Sequence, residues 1–166
     1  MENEWIFPAL KFFSKKYFLI LSWIFWKVAF SFRHYVFGAV CPAEGKAAAL
    51  VMPKANSEGM QHHLDLIAAT VTPGKHAVVI VDRAAWHVTG KLLIPANLSI
   101  LPLPPYSPEL NPVEQIWQQL RQSDWANRCF KSYDDIVDVC CQAWNTFANQ
   151  PDTIRNLCSR KWALMV

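Results

Sequence analysis

The chain has 166 residues, of which 52% are apolar, 17% charged and 13% aromatic, with eight tryptophans. That is the length of one domain with enough apolar content to bury a core, which excludes a largely disordered chain. The net charge of +3 is a mild lean towards polyanions and does not by itself mark a nucleic-acid binder.

Cys41, Cys129, Cys140, Cys141 and Cys158 form an odd set without CxxC spacing. This speaks against a secreted disulfide scaffold and against structural zinc, and for reduced thiols in a cytosolic interior. Residues 5–32 differ in composition from everything downstream. The stretch from Tyr17 to Trp26 is uncharged and very apolar, and Lys27 then interrupts it. Even extended to Phe32 it falls short of the roughly 20 apolar residues of a spanning helix. Lys11, Lys15 and Lys16 ahead of it resemble the start of a signal peptide, but no small-residue cleavage site follows. Three readings stand for 1–34: a membrane anchor over 17–32, a buried element of the domain, or a hydrophobic leader foreign to it.

From Tyr35 onward the pattern is that of an α/β protein with a mixed sheet. Tyr35 to Cys41 and Ala47 to Met52 read as two strands of a hairpin, with Pro42 to Lys46 as the turn. Ser57 is the expected N-cap of a helix running to about Thr70, with Met60, Leu64, Ile67 and Ala68 at helical spacing. Thr72 to Lys75 breaks it. His76 to Val81 is a continuous apolar run, the signature of a strand covered on both faces, and Asp82 ends it. Ser99 to Leu103 reads as a further short strand. A proline-dense loop, Pro102 to Pro112, precedes a helix over Val113 to Trp125, with Asn111 as N-cap and Pro112 in the first turn. Ser132 caps a long helix with Ile136, Val139, Cys140, Ala143 and Phe147 on one face. Pro151 opens a short last helix.

Two carboxylates stand where chemistry is usually found. Asp82 follows a buried strand, the place where open α/β sheets present their ligands. Glu114 lies in the first turn of a helix, just after the stiff proline loop. Taken singly, the first reads as a strand-end turn residue and the second as a carboxylate favouring the helix dipole. A hard cation such as Mg²⁺, however, asks for carboxylates converging from separate rigid elements, and a pair of such ions can drive an in-line phosphodiester displacement.

The neighbours of these residues decide between the readings. Asp82-Arg83-Ala84-Ala85-Trp86-His87 and the segment from Leu103 to Glu114 (LPPYSPELNPVE) both resemble the bacterial insertion-sequence branch of the mariner-like DDE transposases. Tyr35 to Gly45 is similar to that family's hairpin, so the resemblance covers about Tyr35 to Trp162. It implies an RNase H-like fold and hydrolysis of a transposon end followed by attack of the freed 3′-hydroxyl on target DNA, with Mg²⁺ or Mn²⁺ as cofactor. It makes Asp82 the second and Glu114 the third metal ligand. His87 and Arg83 become accessory candidates: His87 could contact DNA or a metal-bound water, or serve as a hydrogen-bonded structural histidine, and Arg83 could contact a phosphate. Trp86 reads as core, and Tyr106 and Ser107 as residues that hold the loop. Arg121, Arg128, Lys131, Arg155, Arg160 and Lys161 give the C-terminal part a basic bias, read first as a solvated face and second as a phosphate-contacting surface.

The family's first aspartate belongs on an opening strand upstream of the hairpin. Before Tyr35 the acidic residues are Glu2 and Glu4, too near the start to sit on such a strand, and no helix-turn-helix module precedes the domain. The expectation is therefore a catalytic domain over 35–166 whose first strand is missing or replaced, with 1–34 a leader from a truncated or frameshifted gene. Such a chain is expected in the bacterial cytoplasm and to be inactive in cleavage. The alternatives are a non-catalytic remnant that binds DNA, further copies of itself or intact transposase subunits, and a small protein anchored in the membrane through 17–32.

Overall fold

The computed structural model describes residues 17–25, 35–82, 90–104, 113–123 and 132–158, with the backbone alone described for 17–25 and for Val113, Glu114, Ser123 and Tyr133. Three strands, a helix, two strands and three helices follow one another along them. The strands are β1 (Tyr17–Phe25), β2 (Tyr35–Cys41), β3 (Lys46–Met52), β4 (His76–Val81) and β5 (Leu98–Pro102). The helices are α1 (Ser57–Thr70), between β3 and β4, then α2 (Val113–Ser123), α3 (Tyr133–Ala148) and α4 (Pro151–Cys158).

The strands form one sheet in the order β3-β2-β1-β4-β5. The β3, β2 and β1 neighbours run antiparallel, whereas β1, β4 and β5 run parallel, so the sheet is mixed as its sequence pattern indicates. Within the segment that stands apart in composition, Tyr17–Phe25 is a strand, and it holds the centre of the sheet. Among the described residues no helix is long and apolar enough to cross a membrane.

Strand alternation sorts the side chains into two cores. Val36, Val40, Val78 and Ile80 face α2, α3 and α4, meeting Ile116, Trp117, Leu120, Ile136, Cys140 and Ile154. Phe37, Ala39, Cys41, Ala77, Val79 and Val81 face the other way, onto Met60, Leu64 and Ile67 of α1. The result is a helix–sheet–helix sandwich, and the unbroken apolar run of β4 follows from its burial on both faces. Burying one such large side chain contributes about 1.5–3 kcal/mol.

Local chemistry sets the element ends. The N-cap of α1 is Asn56, one residue before the expected Ser57; its side chain accepts from the Gly59 amide at 2.9 Å. Both residue types cap well, and Asn56 has the extended backbone the position requires. Ser132 caps α3 as expected, accepting from the Asp135 amide at 3.2 Å. The hairpin turn closes through Gly45, whose φ of +64° suits glycine. β5 lies one residue earlier than its composition suggests, because Leu98, not Ser99, opens the ladder with β4 and Pro102 closes it.

Candidate active site at the C-terminal edge of the parallel strands

Asp82 directly follows β4, half-buried. The Leu103 amide donates to the Val81 carbonyl at 2.7 Å, so the β4–β5 ladder holds the backbone up to the residue before Asp82. Val78 and Ile80 lie in the core shared with α2. The same alternation, carried two residues on, sets position 82 on the α2 side of the sheet. Glu114 is the second residue of α2. Ile116, Trp117 and Leu120 seat that helix in the core that also holds Leu103. The two acids therefore come from separate rigid elements on one face of the sheet. The side chain of Glu114 lies outside the described residues, as do Arg83, Trp86, His87, Tyr106, Ser107, Asn111 and Pro112.

The central strand is the third wall of this edge. Its parallel register with β4 runs from Tyr17↔His76 to Leu21↔Ile80, and its antiparallel register with β2 includes Trp23↔Gly38. Continued by two residues, the β4 register sets Trp23 beside Asp82. β1 reads YFLILSWIF and carries no carboxylate. Among the described residues no three His, Cys, Asp or Glu side chains gather as a metal site. Among the described residues β1 therefore adds no third carboxylate to Asp82 after β4 and Glu114 on α2, and two carboxylates are fewer oxygen ligands than a two-ion centre takes.

The basic residues are drawn into structure where they are described. The Arg121 Nε–H donates to the Trp117 carbonyl at 3.3 Å. Arg155 pairs with Asp152 at 3.0 Å and donates to the Glu44 carbonyl at 3.3 Å, tying α4 to the hairpin turn. Arg128, Lys131, Arg160 and Lys161 lie outside the described residues.

Sequence patterns did not reveal three polar arrangements. Lys46, Glu44 and Thr72 form a cluster: Lys46 Nζ lies 2.6 Å from Glu44 Oε2 and 2.9 Å from Thr72 Oγ1, and that hydroxyl donates to Glu44 at 2.9 Å. Gln61 clamps the loop before β5, donating to the Leu93 carbonyl and accepting from its amide, both at 2.8 Å. His63 is fully buried, with its ring centroid 5.8 Å from that of Phe37. Each joins residues far apart in the chain, so spacing could not signal them. The buried Cys41 and Cys140 thiols are not nucleophiles in waiting: burial pushes Cys41 up, and burial next to Cys141 pushes Cys140 up to about 12.

Residues 29–137 match the model of a family described as DDE superfamily endonuclease, a span that begins after β1. The uncharacterized protein y4pE/y4sA of Sinorhizobium fredii is 54% identical over 129 residues, covering 78% of this chain and 96% of that one. Among solved structures, the crystal structure of the Mos1 strand transfer complex contains a similar chain with a TM-score of 0.55 at 12% identity, over 87% of this chain and 55% of that one. The present chain thus spans about half the length of the Mos1 chain. At that identity the likeness is one of fold, and the fold is RNase H-like, with Tyr17–Phe25 occupying the first-strand position.

Proposed function

Because the chain belongs to the DDE superfamily endonuclease family, we propose that it is a transposase-type catalytic domain of insertion-sequence origin that associates with DNA without cutting it. Asp82 and Glu114 are the two metal-binding carboxylates that remain, and they hold Mg²⁺ or Mn²⁺ weakly. His87 and Arg83, beside Asp82 in sequence, are accessory contacts to DNA. The observation that carries the reading is the composition of β1: the strand beside β4 offers Trp23 at the level of Asp82 and has no acidic residue along its length. A missing carboxylate at such a centre removes both a ligand and the negative charge that draws the ion.

The test is incubation of the purified chain with transposon-end duplex DNA and Mn²⁺. No strand cleavage is expected. Cleavage that disappears in Asp82→Ala would overturn the reading. A gel-shift titration addresses the DNA association: weak binding that falls steeply with salt and is unchanged in Asp82→Ala is expected, since phosphate contacts dominate such affinity. The bacterial cytoplasm is where such a protein would meet DNA and intact transposase subunits.

A further inference from the structure

The sheet has two edges, β3 and β5, and they differ in how they are protected. β5 is five residues long and ends in Pro102, and short edges carrying proline resist pairing with another chain. β3 is seven residues long and regular, registered with β2 without a bulge from Cys41↔Lys46 to Tyr35↔Met52. Among the described residues no strand lies on its other side. Its sequence, KAAALVM, offers one charge, Lys46, and that ammonium is drawn onto Glu44 and Thr72. Helices α1 and α3 pack on β3 from its two faces, leaving a half-buried backbone edge between them. Natural sheets guard such an edge with charges, prolines or bulges, and this one has none of those along Ala47 to Met52.

We propose that this edge pairs with the same strand of a second copy, antiparallel and centred on Ala49, joining two five-stranded sheets into one. The side-chain sizes favour that occupant and that direction. About a two-fold axis at Ala49, Ala48 opposes Leu50 and Ala47 opposes Val51, so a small residue meets a large one on either side of the axis, where Ala49 meets itself, and Lys46 meets Met52 at the ends. The two Lys46 residues are sent to opposite ends, roughly 20 Å apart at the usual rise per residue. A parallel pairing would instead stack Lys46 on Lys46 and leave the alanines facing each other. Both cores continue across the seam, since Ala47, Ala49 and Val51 border one and Leu50 and Met52 the other. Two-fold symmetry of this kind is the commonest among soluble homo-oligomers. The inference stands apart from the proposed function and holds whether or not the chain binds DNA.

Sedimentation of the full chain over a concentration series, with charge-swap variants, tests it. The unmodified chain is expected to reach a dimer. Ala49→Lys and Ala49→Glu are each expected to be monomeric, because like charges meet at the axis, and an equimolar mixture is expected to recover the dimer. A chain that stays monomeric up to its solubility limit, or a dimer indifferent to both variants, overturns the proposal. Should the substitutions disturb the fold, hydrogen exchange on the unmodified chain decides: amides of Lys46–Met52 must become slower to exchange as concentration rises. Exchange there that is independent of concentration, fast or slow, overturns the proposal as well.

Discussion

Gly38 is the residue on which the α2 side of the sheet depends. A Cβ at that position would stand 2.8 Å from the Trp117 ring and 2.9 Å from the Trp144 ring. The two indoles, with centroids 5.6 Å apart, lie directly over β2 and need the missing side chain. Gly38→Ala should therefore destabilise the chain by about 1–3 kcal/mol, the usual cost of overpacking, read as a lower urea midpoint with an unchanged slope. Gly38 is also the register partner of Trp23, so one sheet position separates this packing contact from the acid at Asp82. If Trp23 occupies the level of a missing ligand, Trp23→Asp should strengthen Mn²⁺ binding on the order of tenfold by titration calorimetry, one added carboxylate being the cause. The gain should vanish in the Trp23→Asp, Asp82→Ala double variant. Equal Mn²⁺ affinity in the single variant and the unmodified chain would show that the strand does not border the site.

At the scale of elements, legibility followed burial. β2 and β4 could be read to their last residue, because an apolar run ended by a turn or polar residue is the direct image of a strand covered on both faces. α3 was read from Ile136, Val139, Cys140, Ala143 and Phe147, all of which are buried, though Trp144 beside them escaped the reading. β1 was not legible as a strand: YFLILSWIF is apolar throughout, a pattern shared by central strands, signal segments and short membrane helices, and pairing with β2 and β4 alone decides. Of the candidate site, Asp82 was legible as a strand tip and Glu114 as the second residue of a helix. The absence of acids from the centre of the sheet became meaningful once Tyr17–Phe25 was seen to lie there. Contacts between elements were the least visible. The Lys46–Glu44–Thr72 cluster pins the hairpin turn to the link between α1 and β4, and it makes a separate prediction. Thr72→Val keeps the shape but removes a hydroxyl that donates to Glu44 and accepts from Lys46. A loss of about 1 kcal/mol is expected in chemical denaturation. The ion pair left behind, with Lys46 about half exposed, should contribute less than about 1 kcal/mol and weaken with salt.

For the molecule as a whole, the two cores make the cysteines a gauge of folding. Cys41 borders the α1 core, while Cys140 and Cys158 lie in the core of α2 to α4; all three are buried, and Cys141 is exposed. Burial holds Cys140 protonated up to about 12 against an ordinary value of 9.0, and raises Cys41 in the same direction. An acid whose folded pKa is raised keeps its proton in the native state after the unfolded chain has lost it. The unfolded state then binds fewer protons, and stability falls as pH climbs. The contribution of Cys140 is therefore intact below about pH 9 and is lost progressively between about 9 and 12, and that of Cys41 declines in the same direction. The urea midpoint should decline over that window, and replacing Cys140 by alanine should flatten the decline while lowering the midpoint at neutral pH through the cavity left behind. Thiol labelling at pH 8, mapped by peptide mass so that Cys129 is scored separately, should modify Cys141 quickly and Cys41, Cys140 and Cys158 at the rate of unfolding. If Cys41 and Cys140 were labelled as fast as Cys141 under native conditions, neither core would be closed, and the sheet could not hold β4 and α2 rigidly enough to present Asp82 and Glu114 together.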